Sequence, residues 1–139
     1  MSVNTPYRIN NSANQNFVLD CNIYSADAAT VHTYHGGPNQ VFYLENSGAG
    51  FLIRCKSNGK VLEVPEFTDG ADGTKLRFAF KNGSDRQRWS IQDSGNGALK
   101  ISGYNSKFFG PTNGTLSNLN PVVLQTDLKP TSTWILRGI

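Results

Sequence analysis

Apolar and polar residues alternate along this chain in short segments, which are separated by clusters of glycine, asparagine, serine and proline. Alternation with a period of two is typical of strands that bury one face. No segment of helical length carries apolar residues at a period of 3.6. The pattern therefore predicts an all-β fold with about twelve short strands.

The strands fall into three blocks, residues 6–46, 50–93 and 98–139. Each block opens with an alternating segment, at Tyr7–Asn10, Phe51–Arg54 and Leu99–Ser102. A polar turn then leads to a second strand, at Phe17–Asp20, Val61–Val64 and Phe108–Gly110. A longer loop leads to a third strand, at Thr30–Tyr34, Lys75–Phe78 and Pro121–Leu124. The blocks therefore repeat one arrangement of strands.

The fourth strand of each block starts at a short motif that ends in an aromatic residue. The three copies are Gln40-Val41-Phe42, Gln87-Arg88-Trp89 and Ser132-Thr133-Trp134. Their aromatic residues are 47 and 45 residues apart, a period typical of a repeated supersecondary unit. A single unit cannot bury both faces of its strands, so we expect three units to close into a barrel around a pseudo-threefold axis. The three aromatic residues should lie in its core.

Composition agrees with a single domain, residues 1–139, that has one modest core. Hydrophobic residues make up 37% of the chain and charged residues 17%, and the formal net charge is +3. The densest basic stretch, from Lys75 to Arg88, is interrupted by Phe78, Phe80 and Asp85. This interruption favours outward side chains on strands over a phosphate-binding stripe. Nucleic acid is therefore not an expected partner.

The N-terminal residues show no cationic segment followed by an apolar run, so no secretory signal is expected. No stretch approaches the roughly 20 apolar residues of a membrane-spanning helix, so we do not expect membrane insertion. We expect a soluble protein that is cytoplasmic or released without a signal peptide. Cys21 and Cys55 do not lie at obviously neighbouring positions, which favours free, partly buried thiols over a disulfide or a metal site.

Three units of about 45 residues, each with a strand-turn-strand opening and a Gln-x-Trp-like close, resemble the ricin B-chain type of β-trefoil lectin. The loops at Val31–Gln40 and Tyr104–Phe109 are similar to those of small single-domain mushroom lectins of this family. The resemblance covers essentially the whole chain. It implies a β-trefoil of three pseudo-symmetric four-strand repeats, with no cofactor and one possible sugar pocket per repeat.

A sugar pocket of this family combines an acidic residue after the second strand, an aromatic residue at the end of the third, and an asparagine before the glutamine of the motif. The C–H face of a pyranose packs on an aromatic ring, and its hydroxyls need a charged acceptor and an amide. Carried over to the first repeat, these positions are Asp20, Tyr34 and Asn39. The three required residue types occur together there, which favours a site over isolated turn and core residues.

Four further residues of the first repeat complete the expected pocket. Gln40 would brace it from below, and His35 and Gly37 would form its rim, where glycine permits a ligand to approach the backbone. His32 is the alternative platform if the strand register is shifted by two residues, because both side chains then point to the same side.

The other two repeats match the family's pocket less well. In the second repeat Glu63 replaces the aspartate, and a gap-free match puts Ala79 at the platform, flanked by Phe78 and Phe80. Arg86 replaces the asparagine there and could pair with Glu63 or Asp85 and close the pocket, so this is at most a weak second site. In the third repeat Gly110 stands at the acidic position, and no site of the family type is expected.

The resemblance implies non-catalytic binding of glycans on glycoproteins or glycolipids that end in galactose or N-acetylgalactosamine. A homodimer would pair two weak sites, and agglutination and a defensive role toward grazing animals would follow from crosslinking. No nucleophile motif or hydrolytic triad is visible, so we do not expect an enzyme. The spacing of His32, His35 and Asp20 alone does not indicate a metal site.

A protein-binding trefoil is the alternative. A protease inhibitor of this fold would act through one protruding loop, such as residues 65–74 or 103–120, and does not need an acidic residue, an aromatic residue and an asparagine in one repeat. The trio in the first repeat therefore favours the lectin.

Overall fold

The computed structural model describes residues 5–139, which form twelve strands and four 3₁₀ turns. The strands of the first repeat are β1 (Tyr7–Asn11), β2 (Phe17–Asn22), β3 (Ala28–Thr33) and β4 (Phe42–Ser47). Those of the second are β5 (Gly50–Cys55), β6 (Val61–Glu63), β7 (Arg77–Ala79) and β8 (Ser90–Gly95). Those of the third are β9 (Ala98–Ser102), β10 (Phe108–Pro111), β11 (Asn120–Gln125) and β12 (Trp134–Gly138). The predicted all-β fold with four strands per repeat is confirmed.

The first and fourth strands of the repeats form a closed barrel of six strands. Long antiparallel pairings join β4 to β5, β8 to β9 and β12 to β1. Shorter contacts join β1 to β4 and β9 to β12, and a single bridge between Phe51 and Trp89 links the second repeat's two barrel strands. Closure leaves the barrel without a free edge.

The second and third strands of each repeat form hairpins that cap one end of the barrel. These hairpins are β2–β3, β6–β7 and β10–β11. They meet one another through bridges at Ala28↔Arg77, Val31↔Asn120 and Lys75↔Val123. A six-stranded barrel capped by three hairpins is the β-trefoil that the repeats predict.

The motif aromatics lie in the core, as the repeat pattern predicts. Phe42, Trp89 and Trp134 are at most 1% exposed. Phe42 stacks on Phe78 with 5.6 Å between ring centroids, whereas both tryptophans pack against Phe109. Each buried indole N–H needs an acceptor, and the carbonyls of Leu62 and Phe109 accept from Trp89 and Trp134 at 3.0 and 3.2 Å.

Most predicted strands differ from the observed ones by one or two residues at an end, and two of these differences bear on the candidate sites. The third strand of the second repeat spans only Arg77–Ala79, because Lys75 makes an isolated bridge to Val123 instead of pairing within its own hairpin. Tyr34 lies just beyond β3, which ends at Thr33. Within residues 5–139 no helix is long and apolar enough to cross a membrane.

Both cysteines are free, as predicted, and both are fully buried. Their expected separation is wrong, because the hairpin β2–β3 brings Cys21 beside Cys55 of the barrel. The interaction with Cys55, together with burial, raises the pKa of the Cys21 thiol above its ordinary value. Asn58 further donates to Cys21 Sγ at 3.7 Å.

Candidate functional site

The carboxylate of Asp20 is the centre of the first-repeat site. Asp20 lies in β2 and is only 3% exposed. Gln40 Nε2 donates to its Oδ2 at 2.9 Å, and Asn39 Nδ2 donates to its Oδ1 at 3.3 Å. Two amides thus hold the carboxylate in one orientation, and each of its oxygens keeps acceptor capacity.

Both amides come from the 3₁₀ turn Pro38–Gln40, which the motif places directly before β4. Gln40 is fully buried; besides Asp20, its Nε2 donates to the Thr33 carbonyl at 3.0 Å, and its Oε1 accepts from the His35 backbone N–H at 2.9 Å. Asn39 also donates to the Cys21 carbonyl at 3.2 Å. Gln40 therefore ties the turn, the end of β3 and Asp20 together.

The two histidines of the chain lie against this carboxylate. His35 Nε2 is 3.9 Å from Asp20 Oδ2, and its side chain is 46% exposed. The imidazole rings of His32 and His35 meet edge to face with 5.5 Å between centroids. One ligand atom from each histidine and one from Asp20 lie within 4.8 Å of one another. His32 belongs to this cluster because it stands opposite Val18, two residues before Asp20.

Gly37 forms part of the rim at a close approach. A Cβ atom added there would lie 2.6 Å from His35 Cε1 and 2.9 Å from Asn39 Oδ1, so a larger residue would displace one of these side chains. The Gly37 backbone N–H donates to His35 Nδ1 at 3.0 Å, which fixes the ring over the carboxylate.

Tyr34 is 36% exposed and packs on a residue that sequence reasoning missed. The Arg8 guanidinium lies 4.5 Å from the centroid of the Tyr34 ring. One face of the ring is thereby occupied, and only the other face could pack on a ligand. Arg8 stands in β1, and no sequence signal linked it to a residue of the third strand.

Burial raises the pKa of Asp20 above its ordinary value. The hydrogen bond from Gln40, the positive charge that His32 and His35 can carry, and the hydrogen bond from Asn39 act in the opposite direction without overcoming it. Among residues 5–139, no lysine or arginine forms an ion pair with this carboxylate.

The second repeat carries the same scaffold around a different acid. Gln87 Nε2 donates to Glu63 Oε2 at 2.8 Å and to the Phe80 carbonyl at 2.9 Å, and its Oε1 accepts from the Asn82 backbone N–H. Glu63 is 1% exposed. These bonds repeat those of Gln40 one for one.

The predicted partner of Glu63 is wrong. Arg77, which stands opposite Glu63 on β7, donates to Glu63 Oε1 at 3.0 Å. Arg86 instead donates to the Pro65 carbonyl at 2.7 Å and lies over the Tyr104 ring. The protein's own cation thus neutralises the second acid.

The aromatic residues predicted for the second repeat separate. Phe78 is 2% exposed and stacks in the core, so it cannot line a site. Phe80 is 75% exposed, with the Lys60 ammonium 4.8 Å from its centroid. Ala79 stands opposite Val61, two residues before Glu63, and so matches His32 rather than Tyr34.

The third repeat has neither the acid nor room for one. A Cβ atom at Gly110 would lie 2.9 Å from the Thr131 carbonyl oxygen and 3.0 Å from Ser132 Cβ. A depression of about 330 Å³ does lie nearby, partly lined by Asp72 and Thr126. Asp72 there already accepts from Lys107 at 2.6 Å and from Thr126 at 2.8 Å.

Solved structures with the same fold include lectins. A Macrolepiota procera ricin B-like lectin in complex with lactose is 21% identical, with a TM-score of 0.84, and the match covers 98% of this chain and 96% of that one. A Polyporus squamosus lectin bound to Neu5Acα2-6Galβ1-4GlcNAc is 19% identical, with a TM-score of 0.83, covering 99% of this chain and 50% of that one. The designed threefold-symmetric protein ThreeFoil is 25% identical, with a TM-score of 0.86, covering 94% and 96%.

A search of curated proteins by sequence finds no significant match. A family model described as a ricin-type beta-trefoil lectin domain-like family matches residues 2–79 and 38–125 in two overlapping segments. Together these segments span most of the chain, and the barrel, the hairpins and the repeated glutamine scaffold agree with them. The chain belongs to the ricin-type β-trefoil lectin domain-like family.

Proposed function

We propose that this protein is a non-catalytic lectin that binds glycans ending in galactose or N-acetylgalactosamine through the first-repeat site. The observation that carries the proposal is the Asp20 carboxylate, which two amides orient and no lysine or arginine of residues 5–139 neutralises. An oriented anion with free lone pairs is the acceptor that two vicinal hydroxyls need.

The sugar reaches Asp20 past the His35 ring, since the carboxyl side chain is only 4% exposed and the ring beside it is 46% exposed. The sugar hydroxyls donate to the remaining lone pairs of Asp20, and the Asn39 side chain contacts the same edge of the sugar. The free face of Tyr34 or the rings of His32 and His35 supply the apolar contact with the C–H face.

The two lectin structures support the class of ligand, because lactose and Neu5Acα2-6Galβ1-4GlcNAc both contain galactose. Both lectins have low sequence identity to this chain, so its preference among sugars depends on its own first-repeat residues. Glycans of glycoproteins or glycolipids are the proposed partners.

A shallow site of this kind binds weakly, with dissociation constants between ~10 µM and ~1 mM. A homodimer would carry two such sites and crosslink cells, because a second tethered contact multiplies the overall affinity by roughly 10²-fold or more. Agglutination and a defensive role toward grazing animals follow from this arrangement.

A glycan array probed with the purified full chain tests the proposal. We expect signal on terminal galactose and N-acetylgalactosamine and none on glucose-terminated controls. Isothermal titration with lactose, with maltose as the matched control, then gives the affinity. An array without galactoside signal would contradict the proposal.

The protease-inhibitor alternative is tested on the same preparation with papain and trypsin. The two loops named for it lie against each other, since Asn105 Nδ2 donates to the Gly70 carbonyl at 3.0 Å. Each loop is therefore held by the other at this point, and we expect no inhibition. Stoichiometric inhibition that survives loss of sugar binding would favour the alternative.

A further inference from the structure

We infer that Asp20, His32 and His35 form a binding site for a divalent transition-metal ion such as Zn²⁺, and that the ion and a sugar exclude each other. The second part rests on the proposed function, because it assumes that the sugar uses Asp20. The first part does not.

The three side chains offer the ligand types that zinc prefers, two imidazole nitrogens and one carboxylate oxygen. One ligand atom from each lies within 4.8 Å of the other two. In a tetrahedral zinc site two ligand atoms are about 3.3 Å apart. His35 Nε2 and Asp20 Oδ2 are 3.9 Å apart, so this pair has to close by only about 0.6 Å.

Outer contacts already hold two of the three ligands. Gln40 and Asn39 orient the Asp20 carboxylate through their amides. His32 Nδ1 lies 2.8 Å from the Thr33 carbonyl, a bond that requires the proton on Nδ1 and leaves Nε2 as a free donor of electrons to a metal. Such a backbone carbonyl behind an imidazole is a regular feature of protein metal sites.

His35 must change its protonated nitrogen to join the site. Its Nδ1 accepts from the Gly37 N–H at 3.0 Å, so the proton of the neutral ring is on Nε2, facing Asp20. Binding of a metal through Nε2 moves this proton to Nδ1 and breaks the bond from Gly37. The backbone change is expected within the two-glycine turn at residues 36–37. The NMR signal of the Gly37 amide should therefore report metal binding.

Three protein ligands leave an open coordination position, which water would fill. A metal ion would coordinate the Asp20 lone pairs that we assign to the sugar hydroxyls. It would also occupy the space under His35 through which the sugar enters. Binding of one ligand therefore lowers the apparent affinity for the other.

The chain contains only two histidines, so a histidine-dependent metal site has one possible location. Titration of zinc chloride into the tag-free full chain, followed by calorimetry in the absence of sugar, should show one ion bound per chain. Loss of a residue that only orients a metal ligand typically lowers metal affinity by about 10- to 100-fold. Because His32 and His35 would be ligands themselves, His32→Ala and His35→Ala should each lower zinc affinity by at least this factor. The Gly37 amide resonance should shift in the unaltered protein.

Glu63→Gln is the matched control, since Glu63 is the other carboxylate held by a motif glutamine and has no histidine in the matching position. It should leave zinc affinity unchanged. The metal site would be overturned if the unaltered chain bound no zinc. It would also be overturned if His32→Ala and His35→Ala bound zinc as tightly as the unaltered chain does.

A lactose titration repeated with increasing zinc tests the exclusion. The apparent dissociation constant for lactose should rise with zinc and return on addition of EDTA. Unchanged lactose binding in saturating zinc would overturn the exclusion and leave the metal site standing. Absence of lactose binding at every zinc concentration would contradict the proposed function, while the sugar-free zinc titration would still decide the metal site.

Discussion

The first and second repeats hold their acids in the same way and leave them in different states. Gln40 and Gln87 make the same three hydrogen bonds: to the acid, to the carbonyl seven positions upstream, and from the backbone N–H five positions upstream. Asp20 faces two histidines, whereas Glu63 is paired with Arg77.

The difference separates the scaffold from the site. The glutamine satisfies a buried carboxylate in both repeats and so stabilises the fold. A binding site needs in addition that the acid keep lone pairs which the protein does not use. Arg77 binds Oε1 of Glu63, and Phe67 packs against the guanidinium at 5.2 Å. No lysine or arginine of residues 5–139 pairs with Asp20, which is why we place the proposed site in the first repeat.

Removal of the scaffold should give the largest effect. Gln40→Ala removes one donor each from Asp20 and the Thr33 carbonyl and leaves the His35 N–H without its acceptor, and we expect a loss of about 2–4 kcal/mol in the free energy of unfolding. Gln87→Ala should cost roughly 1 kcal/mol less, because Arg77 still pairs with Glu63. Urea unfolding followed by tryptophan fluorescence measures both. Equal losses would show that Arg77 contributes nothing to the second acid.

Replacement of Asp20 or Glu63 by alanine should show which of the two acids takes part in sugar binding. Asp20→Ala should weaken lactose binding by about 1.5–3 kcal/mol, since it removes a charged acceptor. Glu63→Ala should leave lactose binding unchanged, because its carboxylate already belongs to Arg77. Calorimetric titration of the folded variants decides the matter. If Glu63→Ala weakened binding as much as Asp20→Ala, the second repeat would be the site.

Loss of the cation should have a moderate effect. Arg77→Met leaves the Glu63 carboxylate, 2% exposed in its side chain, without a positive partner. The Arg77 side chain is 40% exposed, so solvent screening reduces the expected loss in unfolding free energy to about 1 kcal/mol.

Arg54→Met is the matched control for Arg77→Met. Arg54 also pairs with a glutamate and covers an aromatic ring, but its partner Glu45 is 27% exposed and has Lys81 as a second cation at 3.5 Å. Its loss should cost less in the same urea experiment. A larger loss for Arg54→Met would contradict the burial argument.

Acid should weaken sugar binding by the smallest amount. The acceptor is the ionised form of Asp20, and burial raises its pKa above the ordinary 3.8, so lactose affinity should fall before that pH is reached. For folding the sign is opposite: the native state binds this proton more readily than the unfolded state, so Asp20 destabilises the fold as pH rises from 3.8 through the raised pKa.

Titrations with lactose from neutral pH down to about pH 4 measure the fall in affinity. His32 and His35 lie beside the carboxylate, so the series is repeated with both replaced by glutamine. A fall that persists in this variant belongs to Asp20. Constant affinity down to the lowest pH would contradict the assignment of Asp20 as the acceptor.

The sequence predicts the fold and the approach of Asn39 and Gln40 to Asp20 because both depend on local order. The motif puts Asn39 and Gln40 at fixed offsets before an apolar strand, and hairpin geometry brings such a turn back to Asp20 in the second strand. The same reasoning gave Glu63 and Gln87 correctly as equivalents.

The contacts that distinguish the repeats could not be predicted from the sequence. The pairing of Arg77 with Glu63 depends on a strand register that a shift of one residue would reverse. The packing of Arg8 on Tyr34 joins a barrel strand to the residue that follows a hairpin, and the approach of Cys21 to Cys55 joins two repeats. Each joins residues that are far apart in the sequence and depends on strand register or on the packing of strands against one another.

The close approach at Gly110 also limits how mutation could add a further site of the proposed kind to one molecule. Gly110→Asp alone would press its Cβ against the Thr131 carbonyl oxygen before its carboxylate reached a ligand. The turn Pro130–Ser132 would first have to move outward, for instance by taking the first-repeat sequence Pro38–Gln40. A third-repeat site therefore requires at least two coordinated changes, and no single substitution at Gly110 can create it.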